Sequence, residues 1–305
     1  MRVLLTGAGG FVGSQVARAL VERGDETLVV LRSSTPRDRI QDLVRRLRVL
    51  EADLEDESTL AGGFEGFRPE IVLHAAWYAR PGDYLTSPEN LRSLNVTTRL
   101  AQRAFAAGCR RFVGVGTCLE YAPSDSRRRD ADPVEPKTLY AACKLAAWQV
   151  VRSLAGQHGA QSVWARLFHV HGPGEAPDRL VPSVARALAG GQPFDLSPGD
   201  QVRDQLHVKD VADALVHLAA GEATGVFNVC SGEPVTLRQV ATAVGQALGR
   251  ADLLRFGARC YAPGELMFLA GDPARLRATG WRPRVTDLAA GIADAVVGYV
   301  AANRR

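Results

Sequence analysis

Arg2-Val-Leu-Leu-Thr-Gly-Ala-Gly-Gly-Phe-Val-Gly13 is the stretch of this chain that decides its fold. An apolar run typical of a strand leads through closely spaced glycines into an amphipathic helical pattern, the context that a dinucleotide-binding turn requires. Gly7 allows the tight turn, Gly10 lets backbone approach a pyrophosphate, and Gly13 lets the helix pack close to the sheet. The backbone N–H groups and the dipole of the helix would then face the phosphates. The stretch therefore predicts that the protein holds a nicotinamide dinucleotide.

Short apolar runs alternate with helical patterns as far as a strand near residues 162–168, which indicates βαβ crossovers and a parallel sheet. One of these helices is expected near residues 39–47. Beyond residue 168 the chain is richer in Pro and Gly and less regular. We predict an α/β fold, with a Rossmann-type doubly wound parallel sheet and a smaller, interwoven α/β substrate domain. The predicted division is 1–168 with about 205–230 for the dinucleotide-binding Rossmann domain, and 169–204 with 231–305 for the substrate-binding region.

The composition narrows the class of protein. Of 305 residues, 46% are hydrophobic and 23% are charged, which is typical of a globular protein with a large core. The net charge is only +4 and the basic residues are scattered, so nucleic acid is not an expected partner. The five cysteines form no C-x-x-C pair, which favours free thiols and predicts no metal site. No apolar run could span a bilayer and no leader is recognisable, so we expect a cytoplasmic protein without a membrane partner.

The end of the second strand bears on the choice of cofactor. Arg32 and Ser33 stand where, roughly 20 residues past the glycines, an acidic residue would bind the ribose of NAD. A guanidinium instead suits the 2′-phosphate of NADP, because it can donate two hydrogen bonds to it. This favours NADP(H), and NAD(H) stays open because Arg32 could equally be a surface residue of an arginine-rich chain. Asp53 is placed to accept from the adenine amine, and the small Ala75-Ala76 pair lets the cofactor cross the sheet edge.

Tyr140-Ala-Ala-Cys-Lys144 lies in a helical pattern, where the i, i+4 spacing puts the two end residues on one face. A buried ammonium beside a phenol favours the phenolate, so we expect a lowered pKa for Tyr140 and a role in proton transfer. Lys144 can also hydrogen-bond the nicotinamide ribose. The alternative is an ordinary helix face with a core tyrosine and a lysine whose stem lies along it. The position downstream of a nucleotide turn favours the catalytic interpretation.

Several motifs together carry a resemblance to a known family. They are Thr6-Gly-Ala-Gly-Gly-Phe-Val-Gly13, His74-Ala-Ala-Trp77, Leu94-Asn-Val96, Tyr140 to Lys144, Arg166-Leu-Phe168 before Gly172-Pro173, Val202-Arg-Asp-Gln-Leu-His-Val208, and Phe227-Asn-Val-Cys-Ser-Gly-Glu-Pro234. The chain resembles the extended short-chain dehydrogenase/reductase family, the NAD-dependent epimerase/dehydratase group, over nearly its whole length. The resemblance implies a nucleotide-linked sugar as substrate, Arg203 on its diphosphate, Thr117 sharing the sugar oxygen with the tyrosine, and Asn95 supporting the proton relay. It also implies a homodimer built on the helices that begin near Leu91 and Leu139.

The residues after Thr117 depart from the family's sugar 4,6-dehydratases, which carry Asp-Glu at that point. Here Cys118 and Leu119 can act neither as acid nor as base, so dehydration is not expected. Glu120 is either a substrate contact or a structural glutamate at the sheet edge. His169 replaces the family's usual Asn and is either a ligand to sugar hydroxyls or a buried histidine.

Two reactions fit these residues. One is NADPH-dependent reduction of a nucleotide-linked 4-keto-6-deoxysugar, which Arg32 favours and which makes the chain most like nucleotide-sugar 4-ketoreductases. The other is NAD-dependent 4-epimerisation of a nucleotide sugar. A non-catalytic dinucleotide-binding module is less favoured, because such proteins typically lose the tyrosine or the lysine. The predicted site comprises catalytic Thr117, Tyr140 and Lys144, cofactor-binding Gly7, Gly9, Gly10, Phe11, Val12, Gly13, Arg32, Ser33, Asp53, Leu54, Ala75, Ala76, Asn95, Tyr140, Lys144 and Phe168, and substrate-binding Trp77, Thr117, Glu120, His169 and Arg203.

Overall fold

A computed structural model describes the backbone of residues 1–302 and the side chains of residues 1–299. Short 3₁₀ segments occur at Asp38–Arg46, Cys118–Glu120 and Ala251–Leu253. In chain order the strands and helices are β1 Arg2–Thr6, α1 Phe11–Arg23, β2 Glu26–Leu31, β3 Arg48–Glu51, α2 Glu57–Phe67, β4 Ile71–His74, α3 Glu89–Ala106, β5 Arg111–Thr117, α4 Leu139–Gln157, β6 Gln161–Leu167, β7 His169–His171, α5 Leu180–Ala189, β8 Phe194–Leu196, β9 Val202–His207, α6 Val208–Ala220, β10 Gly225–Val229, β11 Pro234–Thr236, α7 Leu237–Ala247, β12 Leu254–Phe256, β13 Phe268–Leu269, α8 Ala274–Ala278 and α9 Leu288–Ala302.

Seven parallel strands of the described chain form the main sheet, in the order β10, β6, β5, β4, β1, β2, β3. Helices α1 and α6 pack together over one face, and α3 and α4 pack together at the other, so apolar side chains cover both sides. The chain leaves β1 toward one edge and returns at β4 toward the other, which opens a crevice at the carboxyl ends of these two strands. The predicted doubly wound Rossmann fold is confirmed.

A second layer is built from the later part of the chain. Strand β9 pairs with β11, β13 and β7, and β8 pairs with β12. Helices α5, α7 and α9 enclose a separate apolar core. Residues 205–207, predicted to open the second Rossmann segment, instead complete β9 of this smaller sheet, and α6 and β10 return to the main one. The rest of the predicted domain division stays a prediction.

Two local elements differ from the sequence interpretation. The segment expected to be a helix near residues 39–47 is 3₁₀ rather than α. The apolar pattern of the sequence did not predict helix α2, because three glycines lie among its eleven residues. It forms because the Asp56 carboxylate accepts from the N–H groups of Ser58 and Thr59 at its start and because Leu60 and Phe64 are buried against the sheet.

The turn between β1 and α1 leaves no room for side chains. Gly7 has a φ of +78°, and a Cβ there would lie 2.7 Å from the backbone of Ala75 and Ala76. A Cβ on Gly13 would lie 2.0 Å from the carbonyl oxygen of Gly7, well inside van der Waals contact. The first turn of α1 therefore rests on the preceding loop, and β4 closes against the same loop.

Replacing Gly13 with Ala should push α1 away from the turn and lower the free energy of unfolding by at least about 2 kcal/mol, because the added methyl overlaps backbone. Gly156→Ala is the matched control, since Gly156 also lies in a helix and a Cβ there meets nothing within 4 Å. That control should raise the free energy of unfolding by about 0.5–1 kcal/mol. Urea denaturation measures both, and equal stability of the two variants would contradict the packing described.

Candidate active site

A buried hydrogen-bond chain fixes the mouth of the crevice. His74 Nδ1 lies 2.7 Å from the Thr6 hydroxyl, and His74 Nε2 lies 2.9 Å from the Thr97 hydroxyl. The Thr6 oxygen also accepts from the N–H of Ala76 at 3.3 Å. Burial, with a further contribution from Lys144, lowers the pKa of His74 to about 3, so the ring is neutral. These hydrogen bonds join β1, β4 and α3. The sequence analysis did not identify them, although Thr6 and His74 end neighbouring strands.

The glycine turn presents backbone rather than side chains to the crevice. Gly10 is the N-cap of α1, and neither a side-chain cap nor an acidic residue in the first turn satisfies the helix N–H groups. Such an end attracts an anion. The predicted cofactor-binding residues at this turn, namely Gly7, Gly9, Gly10, Phe11, Val12 and Gly13, adjoin Ala75 and Ala76 through the Gly7 contact.

Three arginines follow β2, and their surroundings differ. Arg32 is exposed at the end of the strand beside the exposed Ser33, and among residues 1–302 it has no carboxylate partner. Arg37 pairs with Glu51 at 2.7 Å. Arg39, which sequence reasoning missed, donates to the carbonyl of Gly9 and, at 2.9 Å, to that of Gly174 in the second layer. Arg32 is therefore the guanidinium of the three that is free to take an anionic ligand.

Other predicted cofactor contacts are partly engaged within the protein. The half-buried Asp53 carboxylate accepts from the N–H of Glu55 at 3.0 Å and lies 3.8 Å from Arg92. Asn95 is exposed on α3, and Leu54 packs against the core beneath the sheet.

Phe168 does not face an open cleft, contrary to its prediction as a cofactor contact. Its side chain is 5% exposed and lies in an apolar cluster with Cys118, Tyr121, Cys230 and Leu269. Such burial leaves its ring to packing within the protein.

The predicted catalytic residues converge where β5 ends. Thr117 is the last residue of β5, and its hydroxyl accepts from the N–H of Leu119 at 3.3 Å. Tyr140 and Lys144 lie one helical turn apart in α4, which begins after the N-cap Thr138. The Lys144 ammonium donates to the carbonyl of Val115 at 2.6 Å, and so α4 is joined directly to β5.

Aromatic rings surround the tyrosine. Tyr84 meets Tyr140 edge to face with ring centroids 5.0 Å apart, and Trp77 does so at 6.3 Å. The Lys144 ammonium lies 3.9 Å from the centroid of the Trp77 ring. Arg179, from the second layer, stacks over Tyr84 at 5.2 Å. Two aromatic rings therefore flank the half-buried Tyr140, and one of them, Tyr84, also contacts the second layer.

The predicted lowering of the Tyr140 pKa is wrong for the free protein. Burial raises this pKa above its usual value, and the Thr117 side chain only partly opposes the change. Burial also lowers the pKa of Lys144 to about 7, with Glu120 opposing it. The ammonium is directed at the Val115 carbonyl and lies 5.8 Å from the Tyr140 ring centroid, so desolvation dominates both groups. Tyr140 is accordingly a protonated phenol at neutral pH, ready to donate.

Glu120 is a structural residue, which corrects its prediction as a substrate contact. It is fully buried, and one carboxylate oxygen accepts from the N–H of Thr117 and from Trp164 Nε1, each at 2.9 Å. The other accepts from Arg166 Nε at 2.7 Å, forming a buried ion pair. Because both oxygens are occupied, the carboxylate braces the end of β5 instead of facing a ligand.

His169 and Arg203 lie on paired strands β7 and β9. The Nδ1 atom of His169 is buried without a hydrogen-bond partner, and burial, aided by Arg203 and Arg179, lowers its pKa to about 3. Arg203 is only 7% exposed and donates to Glu265 Oε1 at 3.0 Å. The neutral imidazole thus keeps an unused polar atom, which suits a polar ligand.

None of the helices within residues 1–302 combines the length and apolarity that a bilayer-crossing segment needs.

A sequence model described as the NAD dependent epimerase/dehydratase family matches residues 3–230. A UDP-glucose 4-epimerase of Mycolicibacterium smegmatis is 31% identical, with 97% of each chain covered. A dTDP-4-dehydro-6-deoxy-D-allose reductase of Streptomyces bikiniensis is 28% identical over 88% of each chain. The crystal structure of a Thermus thermophilus UDP-glucose 4-epimerase complexed with NAD has 30% identity and a TM-score of 0.85, covering 99% of this chain and 100% of that one.

Replacing Glu120 with Gln should lower the free energy of unfolding by about 3–5 kcal/mol, because Arg166 would keep a buried charge without its partner. Denaturant titration measures this loss. The dissociation constant for a nucleotide sugar, measured by calorimetry under conditions where the variant is folded, should stay near that of the unchanged protein. Full stability together with weakened sugar binding would reinstate Glu120 as a ligand contact.

Proposed function

The chain belongs to the NAD dependent epimerase/dehydratase family and is an enzyme that modifies nucleotide sugars, and we propose that it is an NADPH-dependent nucleotide-sugar 4-ketoreductase. Its substrate would be a nucleotide-linked 4-keto-6-deoxysugar. The observation that carries the proposal is the exposed Arg32, without a carboxylate partner among residues 1–302, at the end of β2. A guanidinium there attracts the 2′-phosphate of NADPH, whereas the carboxylate typical of NAD binding would repel it.

The residues present fit such a cofactor. The glycine turn, which a Cβ would fill, and the uncapped start of α1 would receive the pyrophosphate. Arg32 and Ser33 would hold the 2′-phosphate, and Lys144 and Tyr140 would face the nicotinamide ribose. The reduced nicotinamide supplies a hydride to the keto carbon when it is bound.

The proton for the new alcohol comes from the protein. Tyr140 holds its proton at neutral pH, so it can protonate the sugar oxygen as charge develops there. The Thr117 hydroxyl, at the end of β5, would hold the same oxygen. A hydride added at carbon and a proton added at oxygen would together convert the ketone to an alcohol, with oxidation of NADPH to NADP⁺ as the balancing change. The buried Lys144 ammonium anchors α4 to β5 and keeps the phenol in place.

The residues that follow Thr117 disfavour dehydration. Burial raises the pKa of the Cys118 thiol to about 12, Leu119 is apolar, and Glu120 is engaged by its partners. None of these three offers a free acid or base for elimination across the fifth and sixth carbons of the sugar. Reduction needs no such group.

An NAD-dependent nucleotide-sugar 4-epimerase is the second candidate. Several similar proteins are UDP-glucose 4-epimerases, and the similar Thermus thermophilus crystal structure is a complex with NAD; both observations favour this candidate. The same tyrosine would then remove and return a proton while hydride leaves and returns on opposite faces of the sugar. A purely dinucleotide-binding module is disfavoured, because Thr117, Tyr140 and Lys144 are all present and lie near the end of β5.

A homodimer accompanies this proposal. Helices α3 and α4 pack side by side, and each carries a large apolar side chain that is exposed in the single chain, Leu91 at 55% and Val150 at 40%. Exposed apolar groups on adjacent helices suit contact with a second copy.

The deciding experiment incubates the purified protein with NADPH or NADH and a panel of nucleotide-linked 4-keto-6-deoxysugars and hexoses. Cofactor oxidation is followed by absorbance, and the configuration at C4 by NMR. We expect stoichiometric oxidation of NADPH with a ketosugar. Interconversion of a hexose at C4 without net cofactor use would overturn the reductase and support the epimerase.

Arg32→Asp should raise KM for NADPH about 10- to 100-fold, because a charge-assisted bidentate contact with phosphate is replaced by repulsion. KM for NADH should change much less. Arg45→Asp is the control, since Arg45 is exposed and undergoes the same charge change away from the glycine turn. An equal loss for both cofactors would remove the role assigned to Arg32.

Tyr140→Phe should lower kcat by about 10²- to 10⁴-fold and leave the dissociation constant of NADPH nearly unchanged, because the ring still packs while the proton donor is lost. Tyr261→Phe is the matched control, since within the described part of the chain its exposed hydroxyl bonds only to Asp200. Stopped-flow absorbance and fluorescence titration separate the two quantities. An active Tyr140→Phe enzyme would show that another group delivers the proton.

A further inference from the structure

Asn90, a fully buried residue near the start of α3, holds the segment that joins β4 to α3. Its Nδ2 donates to the carbonyls of Tyr84 and Ser87 at 2.6 and 2.8 Å. Its Oδ1 accepts from Trp77 Nε1 at 2.9 Å. Two carbonyls and one indole N–H call for two donors and one acceptor, the set that a side-chain amide supplies. These bonds fix Trp77 and Tyr84, the rings that flank Tyr140.

The orientation of Trp77 matters because its ring lies over the Lys144 ammonium. The Nζ atom is 3.9 Å from the ring centroid, well inside the range of about 6 Å for cation–π attraction. Lys144 is buried and Trp77 is half-buried, so water screens the contact weakly. The attraction acts on the ammonium, and the neutral amine gains little from it.

We propose that Trp77, oriented by Asn90, is a positioning residue that keeps Lys144 in its charged form beside Tyr140. The ring face stabilises the ammonium in a place where few other groups do so. The consequence for catalysis rests on the proposed function, in which Lys144 and Tyr140 face the nicotinamide ribose. The contacts of Trp77 with Asn90 and Lys144 do not depend on that function.

One carboxylate supports the charge of Lys144, and it is already engaged. Burial lowers the pKa of Lys144 to about 7, and Glu120 opposes this change. Glu120 is itself paired with Arg166 of β6 at 2.7 Å, so much of its charge is compensated. The buried polar side chains of α3, which packs against α4, are those of Asn90 and Thr97, and neither titrates.

The titratable neighbours on β4 and α4 are neutral. Burial lowers the pKa of His74 to about 3, and burial raises the pKa of Tyr140 above its usual value. Two uncharged groups favour the ammonium instead. The Val115 carbonyl accepts from it at 2.6 Å, and Trp77 offers its ring face.

Loss of the ring and loosening of the site would change the pKa of Lys144 in opposite directions. Removal of the cation–π contact takes stabilisation from the ammonium alone and lowers the pKa. Entry of water would raise the pKa, because burial is what lowers it in the unchanged protein. The direction of the change therefore distinguishes the proposed role from a merely structural one.

The pKa of Lys144 can be measured directly, because the chain has three lysines, Lys137, Lys144 and Lys209. Lysine labelled with ¹³C and ¹⁵N in the full protein gives one side-chain NMR signal for each. Lys137→Arg and Lys209→Arg, both at exposed positions, assign two of the signals. The third reports the protonation of Lys144 through a pH titration.

Trp77→Leu should lower the pKa of Lys144 by about 0.5–1.5, because the π face is lost while apolar bulk is kept. Trp77→Phe, which keeps a ring, should lower it less. Tyr78→Leu is the matched control, since Tyr78 is the adjacent half-buried aromatic residue and its hydroxyl bonds to Asp83. An unchanged or raised pKa in Trp77→Leu, or an equal fall in Tyr78→Leu, would overturn the proposal.

Asn90→Ala should also lower the pKa of Lys144, because Trp77 loses the acceptor that orients it. In the Trp77→Leu background the same change should have no further effect, since Asn90 acts through the ring. A raised pKa, or an equal fall in both backgrounds, would remove the role of Asn90. The Trp77 variants decide the role of the ring even where Asn90→Ala fails to fold, because Trp77 is only half-buried.

Turnover separates this inference from the proposed function, because the NMR titration needs no substrate. In an active reductase, the fall of kcat with rising pH should begin at lower pH in Trp77→Leu, as Lys144 loses its proton sooner. A lowered pKa in a protein that reduces no ketosugar would keep the role of Trp77 and remove the reductase. Reduction with an unchanged pKa in Trp77→Leu would do the reverse.

Discussion

The contact between the first turn of α1 and the Gly7 carbonyl is the constraint on which the rest of the structure depends. It brings a helix start, with its unsatisfied N–H groups, to the carboxyl end of β1. The same loop touches the backbone of Ala75 and Ala76 after β4, so the two central strands share one small region of backbone. The neutral His74, bonded to both Thr6 and Thr97, keeps these elements in register. The start of α1 and the residues proposed for catalysis after β5 then lie at the same edge of the sheet, where the parallel strands end.

Burial sets the proton chemistry at the end of β5. Lys144 is buried and Tyr140 is half-buried, and desolvation shifts the pKa of each so that the neutral form is favoured. Glu120 opposes the shift of Lys144 while itself bound to Arg166 and Trp164. A buried ion pair of this kind contributes little net stability and is costly to break, so its value here lies in fixing the geometry at the end of β5.

The sequence predicted the features that arise from local pattern. The alternation of apolar runs and helices indicated the doubly wound sheet, and the i, i+4 spacing placed Tyr140 beside Lys144. Features that depend on three-dimensional surroundings were missed or misjudged. The Tyr140 pKa follows from burial rather than from the neighbouring lysine, and Glu120 is held by partners more than 40 positions away along the chain. Arg39 is similar, because its Gly174 partner is 135 positions away.

The ion pair between Arg203 and Glu265 has a thermodynamic consequence for whatever anion this part of the protein meets. A ligand that approaches Arg203 does not find a bare charge; it must replace a carboxylate already 3.0 Å away. Binding is then an exchange of one counter-ion for another, and only the difference between the two pairings adds to affinity. A small singly charged anion gains little from such an exchange, whereas a multiply charged group that also reaches neighbouring donors gains more. The Glu265 carboxylate therefore favours multiply charged ligands over singly charged ones at Arg203.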